Sequence, residues 1–393
     1  MELSRAIEVI PPRDAEESRN HASTRGVLLL CLWCLPTLLT TGVLFVSIRD
    51  HKLGVDFVHG SWLAARDVLH GHSPFPPPSL TAISQPDIFV YPAPAALLVT
   101  PFGVLPSWAA VAVFTVLLLG AVFIALRLAG VRDRRCYAAA FLWAPVLSAI
   151  QTGNLTLLLA VGLALAWRFR ARTVAGGALV GVLIALKIFL WPLLIWLIAT
   201  RKYAGVAWAM VTATALTFGS WAVLDFKGMR DYPEVLRLLQ HVYEKGSYTP
   251  FVVLLKLGFP THAAREIAFV LGFGVLLLAV LACRRGSNPR AAFALAVAAS
   301  LLLSPIVWLH YFTLLIVPLA VLRPRFGLVW LLPALLWLCP VGSAGPVWLA
   351  ALPLVVFGAM LALAINERLA TSIVAAAPRL PGRNLPALNQ QAP

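Results

Sequence analysis

The stretch that organises this chain is residues 49–75, RDHKLGVDFVHGSWLAARDVLHGHSPF, directly after the first apolar run. With the Pro-rich continuation to Pro94, it holds four aspartates and four of the eight histidines in a sequence that is only 12% charged. A polar segment directly after a membrane span predicts a loop that carries chemistry. The rest of the chain is then expected to be a scaffold that brings further polar groups to the same side.

Apolar runs make up most of the remaining sequence. The chain is 60% hydrophobic with a mean hydropathy of +0.86, and short basic turns separate its apolar runs. This pattern is typical of an all-α polytopic membrane protein and excludes a soluble multidomain protein. We predict a transmembrane domain over residues 27–366, flanked by disordered cytoplasmic tails at 1–26 and 367–393. Its twelve predicted spans lie at about 27–48, 107–130, 136–151, 154–167, 173–187, 188–200, 204–224, 264–283, 291–304, 310–322, 327–341 and 346–366.

The basic residues indicate the orientation. With the N-terminus in the cytoplasm, 21 of the 31 Lys and Arg residues fall in the predicted cytoplasmic tails and short turns. This distribution satisfies the positive-inside rule, so the first loop, residues 49–106, is predicted to face away from the cytoplasm. The same rule accounts for the formal net charge of +15, and we therefore predict no nucleic-acid partner.

Three predicted hairpins, at 136–167, 173–200 and 291–322, have arms too short to cross a bilayer. A run of 14 residues is roughly 21 Å long as a helix, against ~30 Å of hydrocarbon. Irregular polar backbone at membrane depth is tolerated only where it lines a cavity or is buried in protein. The polar tips of these hairpins therefore predict a cavity that opens outward beneath the first loop, in which prolines between 91 and 106 favour short or re-entrant helices.

Four polar residues of the loop and the tips are candidates for chemistry. Asp56, among apolar neighbours, is either a general base or a solvated loop carboxylate. Lys187 either binds a lipid phosphate or reaches toward the outer headgroups. His310 either contacts a ligand or is a packing residue, and Asn154 either hydrogen-bonds a ligand or caps the fourth helix.

The histidines of the first loop could also suggest a metal site. His59, His70 and His72 lie near Asp67, and H-x-H places two imidazoles close together. The spacing matches no strict metal-binding signature. We predict neither a metal nor a cofactor.

Several motifs together resemble one enzyme family. They are D56-F-V-H-G-S-W-L-A-A-R-D-V-L-H-G-H-S-P-F75, V90-Y-P-A-P-A-A-L-L-V-T-P-F102, G153-N-L155, A185-L-K-I-F-L-W-P192 and S304-P-I-V-W-L-H-Y311. In order and sidedness they resemble family 87 glycosyltransferases, which are polyprenol-phosphate-mannose-dependent mannosyltransferases of the GT-C superfamily. The resemblance covers about residues 27–325 and implies a GT-C-type helical bundle. It implies Asp56 as the catalytic base, and we predict substrate contacts for Lys187, His310, Tyr91, Asn154, His59 and Trp308.

The predicted reaction follows from this set of residues. Moving a sugar from a phospholipid carrier to a hydroxyl requires one base, while the departing phosphate requires a cation or hydrogen-bond donors rather than a proton. A single displacement of this kind inverts the anomeric centre. The predicted donor is a polyprenyl-phosphate hexose, with mannose implied by the resemblance alone, and the predicted acceptor is a lipid-linked or glycan hydroxyl. Both would be used at the outer face of a bacterial inner membrane, among its lipids.

Two alternatives remain open. One is an arabinofuranosyl or other lipid-phosphate-sugar transferase on the same fold, which the order of the motifs does not separate from the first prediction. The other is a lipid or solute transporter. Transporters favour inverted repeats and a site at the midplane, whereas this chain lacks two-halves symmetry and carries its acidic residues in a loop.

Overall fold

The computed structural model describes residues 32–366, except for 86, 287, 340, 341 and 344, so the predicted tails lie outside it. Across the described residues the protein is helical and contains no β-strand. The α-helices are α1 (Leu32–Arg49), α2 (Leu63–Leu69), α3 (Leu80–Ile83), α4 (Ala93–Val99), α5 (Ser107–Leu128), α6 (Arg134–Ala140), α7 (Ala144–Thr152), α8 (Thr156–Arg168), α9 (Thr173–Leu186), α10 (Pro192–Ala199), α11 (Tyr203–Val223), α12 (Tyr232–Tyr243), α13 (Pro250–Lys256), α14 (Thr261–Gly286), α15 (Pro289–Leu302), α16 (Ile316–Leu322) and α17 (Val347–Ile365).

Among the described helices, five are long and apolar enough to cross a bilayer: α1, α5, α11, α14 and α17. Helices α7 and α8 together make a sixth candidate span, bent by 120° at their junction. Shorter apolar helices occupy most of the other predicted positions. The prediction of an all-α polytopic membrane protein is confirmed.

Prolines divide some of the predicted spans. The run at 136–151 forms two helices, α6 and α7, because Pro145 lies in the first turn of α7 and has no N–H with which to continue the preceding turn. The run at 327–341 forms two 3-10 segments, Leu328–Trp330 and Leu332–Leu338, the second with a proline in its first turn. These pieces are too short to span alone and pack against longer helices.

Glycines allow α9 and α11 to pack in close contact. A side chain at Gly177 would clash with the carbonyl oxygen of Gly205, and one at Gly181 with that of Ala209. Without a strong hydrophobic drive between helices in lipid, such close backbone approach is a main source of helix association. The packing of α9 against α11 therefore fixes the position of the C-terminal end of α9, and Lys187 is the residue that follows this end.

The turns rich in basic residues converge at one end of the bundle. The Lys202 ammonium donates to the carbonyl of Arg170. The Asp133 carboxylate accepts from the backbone N–H of Phe326 at 3.0 Å and pairs with Arg135 at 2.9 Å. We call this the basic end.

The first loop lies at the opposite end, where a second loop, residues 225–260, packs against it. The hydroxyl of Tyr232 donates to the carbonyl of Val90 at 3.1 Å, and that of Tyr243 donates to the carbonyl of Ile83 at 3.2 Å. The tip of the α7–α8 hairpin reaches the same end of the bundle, since the N–H of Gly54 donates to the carbonyl of Gln151 at 2.7 Å. We call this the first-loop end.

Candidate active site

Two glycines place Asp56 against the tip of the α7–α8 hairpin. Gly153 ends α7 in the left-handed conformation, with φ of 73°, and a Cβ there would lie 2.7 Å from the Cβ of Phe57. Gly54 also has a positive φ, of 70°, and its N–H bonds to the hairpin tip. Glycine has no Cβ, so it adopts the left-handed conformation at little cost and lets another backbone approach closely. The backbone before Asp56 can therefore lie directly on the tip.

Asn154 connects this tip to Asp56. Its side-chain oxygen accepts from the backbone N–H and the hydroxyl of Thr156, at 3.1 and 2.6 Å. Because a backbone N–H can only donate, this bond fixes which end of the amide is oxygen. The NH2 group then faces Asp56, 3.4 Å from its carboxylate oxygen Oδ2. Asn154 thus both caps the start of α8 and contacts the candidate base.

The surroundings of Asp56 make it a stronger base than an ordinary aspartate. Partial burial raises its pKa, an effect opposed by the side chains of Asn154 and Thr152 and by the charges of Lys187 and His59, and the net pKa lies above the usual value for the carboxyl. The residue nevertheless remains exposed at the first-loop end. A substrate hydroxyl can therefore reach a carboxylate whose affinity for a proton is increased.

Lys187 points into the protein at the break between α9 and α10. Its backbone is extended, with φ of −152° and ψ of 98°, which ends α9 and aims the side chain inward. The ammonium Nζ donates to the hydroxyl of Tyr311 at 2.8 Å and lies 3.9 Å from the ring centroid of Tyr91. Aromatic faces and a hydroxyl therefore hold this cation. It interacts electrostatically with Asp56, but the two form no salt bridge among the described residues.

His310 contributes a buried nitrogen that lacks a partner. Only 6% of the residue is exposed, and its ring packs edge-on against Tyr311, with centroids 4.9 Å apart. Within the described part of the chain, its Nε2 atom makes no hydrogen bond. An unpaired buried polar atom is costly, and such atoms in native proteins commonly await a ligand or water. His310 and Lys187 both contact Tyr311, so the two are neighbours.

The other predicted contacts divide into two groups. Tyr91 lies within the cluster, because its ring faces the Lys187 ammonium, which lies 3.9 Å from the ring centroid. His59 lies at the rim, where its Nδ1 is hydrogen-bonded to the carboxylate of Asp87. Trp308 instead packs on the second loop, its ring centroid 6.1 Å from that of Tyr243. The structure thus brings together five predicted residues, which with Tyr311 we call the Asp56 cluster: Asp56, Tyr91, Asn154, Lys187 and His310.

Sequence reasoning missed three residues of this site. Tyr311 bonds to Lys187, Phe189 stacks on Tyr311 with centroids 5.5 Å apart, and Thr152 lowers the pKa of Asp56. Each is within two residues of a predicted one, in the motifs around Asn154, Lys187 and His310. Their proximity was the only available signal, because the contacts join positions that lie far apart in the sequence.

Comparison with known proteins gives one match. Residues 89–305 match the family model of glycosyltransferase family 87, which is more than half of the chain and includes Tyr91, Asn154 and Lys187. No curated protein and no solved structure matches. The helical architecture is consistent with the GT-C-type bundle expected from the loop motifs. As those motifs predicted, the chain is a membrane glycosyltransferase that belongs to glycosyltransferase family 87.

Proposed function

We propose that this enzyme moves a hexose, with mannose as the first candidate, from a polyprenyl phosphate to a hydroxyl of a lipid-linked or glycan acceptor. The observation that carries the proposal is one accessible carboxylate with a raised pKa, Asp56, near one inward-pointing ammonium, Lys187. The cluster contains one base and one cation but no second carboxylate. This set suits a phosphate leaving group, because the departing phosphate needs a cation rather than a proton. A hydrolase that expels an alcohol would need a carboxylic acid as well.

Each bond change has a residue to support it. Asp56 accepts the proton of the acceptor hydroxyl while the hydroxyl oxygen attacks C1 of the sugar. The bond from C1 to the phosphate oxygen breaks, and its electron pair leaves with the polyprenyl phosphate. The charge that develops there is stabilised by the Lys187 ammonium. Because attack and departure occur on opposite faces in one step, the product has the inverted configuration.

The remaining cluster residues have supporting roles in this proposal. The unpaired Nε2 of His310 hydrogen-bonds the donor phosphate or sugar, while Asn154 orients the base. Tyr91 holds the ammonium of Lys187 in position. His59, at the rim with Asp87, contacts the acceptor, and Trp308 forms part of the wall on the second-loop side.

We place the site at the outer face of a bacterial inner membrane. The convergence of basic turns at the opposite end of the bundle supports this orientation through the positive-inside rule. In this orientation the transmembrane domain spans residues 27–366, with its tails in the cytoplasm and the first loop outside. Donor and lipid-linked acceptor then approach from the surrounding outer leaflet.

The experiment that tests the proposal measures transfer from labelled polyprenyl-phosphate mannose to a mixed glycolipid pool. Membranes contain the wild type, Asp56→Asn, or the control Asp67→Asn on α2. We expect the wild type and the control to transfer label, and Asp56→Asn to lose about 100-fold or more while it still binds donor, as expected for loss of a general base.

The other outcomes point to specific errors. Full transfer by Asp56→Asn would show that the base lies elsewhere in the first loop. Absence of mannose transfer by the wild type would overturn the mannose donor, and a lipid-phosphate arabinofuranose would then be tested in the same membranes.

A further inference from the structure

A polar cavity that is open to solvent lies in the second loop, outside the Asp56 cluster. It occupies about 440 Å3 between the end of α11 and the start of α12, and is lined by Phe226, Gly228, Met229, Arg230 and Asp231. This volume lies in the range of small-molecule sites. The lining combines a cation, a carboxylate and two large apolar side chains.

The two charged side chains in this cavity are not used by the fold. Neither Arg230 nor Asp231 forms an ion pair among the described residues, although Lys227 and Asp225 beside them pair at 3.2 Å. Asp231 stands at the N-terminal cap of α12, where an aspartate commonly accepts from the first turn, yet its side chain makes no capping bond. Both groups therefore remain available to a ligand.

The backbone of this loop is strained in a defined way. Asp225 and Phe226 have φ values of 53° and 56°, in the left-handed region that non-glycine residues disfavour, and Gly228 follows with φ of 82°. Such strain persists only where the surroundings enforce it, and it is concentrated at sites that hold ligands. Here the turn closes the end of α11, since the N–H of Phe226 donates to the carbonyl of Trp221 at 2.8 Å. Lys227 also links this turn to the first loop, because its ammonium donates to the carbonyl of Gly71 at 2.8 Å.

One hydrogen bond and two adjacent residues of the first loop connect the cavity to the Asp56 cluster. Tyr232, next to the lining, donates to the carbonyl of Val90 at 3.1 Å. The residue after Val90 is Tyr91, whose ring holds the Lys187 ammonium. The cavity therefore lies on the same wall of the first-loop end as the cluster.

The cavity also follows directly after a helix long and apolar enough to span the membrane. It begins where α11, a full-length span, ends at Val223, and Val223 and Phe226 are 66% and 53% exposed. Exposed apolar side chains at the end of a membrane span suit contact with acyl chains, and the charged side chains that follow it suit the headgroup region. A ligand with a chain in the bilayer and a polar head in the cavity satisfies both.

We propose that this cavity binds the hydroxyl-rich headgroup of the lipid-linked acceptor, with Asp231 accepting from sugar hydroxyls and Arg230 donating to headgroup oxygens. This inference rests on the proposed function. It assigns to the second loop the selection of the acceptor, separate from the donor contacts at Lys187 and His310.

The kinetic test uses the full chain in uncharged phosphatidylcholine nanodiscs, with polyprenyl-phosphate mannose as donor and octyl α-mannoside as acceptor. We expect Arg230→Gln and Asp231→Asn each to raise the acceptor KM about tenfold, the effect of one lost hydrogen bond to a charged group, with kcat and the donor KM unchanged. The control Arg237→Gln removes a charge from α12 that is paired with Glu234, and it should change neither KM. Unchanged acceptor KM values in the first two variants would overturn the inference while the proposed function stands.

A binding test does not depend on turnover. A diazirine-bearing octyl α-mannoside should label the peptide that contains residues 226–231 in the wild type, and labelling should fall about tenfold in Asp231→Asn. Labelling without any transfer would keep the cavity and overturn the proposed donor. If phosphatidylglycerol protects this peptide and free octyl α-mannoside does not, the cavity binds bulk anionic lipid, and the inference is wrong.

Discussion

At the scale of single residues, the proton affinity of Asp56 sets the acid limit of activity. A general base works only when deprotonated, so activity falls as the pH drops through its pKa, and burial raises that pKa above the usual value for aspartate. Asn154→Ala removes an interaction that lowers this pKa. We expect the acid limb of the kcat/KM profile to move to higher pH, with a loss of about fivefold or less on the plateau. A pH series of initial rates measures both.

The control for this prediction is Thr156→Val. It removes the hydroxyl bonded to the Asn154 side chain but keeps the contact between Asn154 and Asp56. The control should lower the melting temperature without moving the acid limb. Identical pH profiles for Asn154→Ala and the wild type would show that Asn154 only caps α8.

Tyr311 provides the second residue-scale prediction. Tyr311→Phe keeps the ring that stacks on Phe189 and loses only the hydroxyl that accepts from Lys187. A hydrogen bond to a charged group contributes about 1.5–3 kcal/mol, so we expect kcat/KM for the donor to fall at least about tenfold. The control is Tyr137→Phe, whose hydroxyl bonds the carbonyl of Val131 at 2.9 Å near the basic end. Equal loss in both variants would indicate general destabilisation.

These residues also show what a sequence can and cannot indicate about a site. Asp56, Lys187 and His310 stand out because a charged or titratable group beside apolar runs is costly unless it is used. Tyr311 does not stand out, because a tyrosine near a membrane surface is ordinary. Its function depends on a contact 124 positions away, which only the packing of the hairpin tips creates.

At the scale of elements, the tip of the α7–α8 hairpin determines whether the site forms. Gly153→Ala places a Cβ 2.7 Å from that of Phe57 in addition to a left-handed backbone at φ of 73°. The left-handed conformation alone costs about 1–2 kcal/mol for a non-glycine residue, and the clash pushes the tip away from Asp56. We expect a lower melting temperature and loss of most transfer activity.

Gly71→Ala is the matched control for this hairpin. Its φ of 72° imposes the same backbone cost, but nothing lies within 4 Å of the added Cβ. We expect a similar drop in melting temperature and nearly full activity. If both variants retain activity equally, the close approach of the hairpin to the first loop is not required for the site.

The breaks within elements were the least predictable feature of the fold. The length of the apolar runs placed the long spans within a few residues, because burial in lipid requires them to be continuous and apolar. The break between α6 and α7, and the 3-10 turns from Leu328 onward, follow prolines whose effect depends on the partners that replace the missing hydrogen bonds. Hydropathy does not carry that information.

At the scale of the whole molecule, the orientation in the membrane determines which donor can reach the site. Two single cysteines in a background without native cysteines report it: Ser84→Cys, exposed in the first loop, and Ala171→Cys, exposed at the basic end. In intact cells we expect a membrane-impermeant maleimide to label Ser84→Cys and to label Ala171→Cys only after permeabilisation, because basic turns stay in the cytoplasm. Retained transfer activity is the control for folding.

The result constrains the chemistry as well as the topology. Charged nucleotide sugars do not cross a bilayer, since a charge in hydrocarbon is costly, whereas a sugar attached to a polyprenyl phosphate can be presented in the outer leaflet. A first-loop end that faces outward therefore requires a lipid-linked donor, which the inward-pointing Lys187 would meet at its phosphate. Reversed labelling would place the Asp56 cluster in reach of nucleotide sugars. The polyprenyl-phosphate donor would then lose its main support, and nucleotide-sugar transfer would be the first activity to measure.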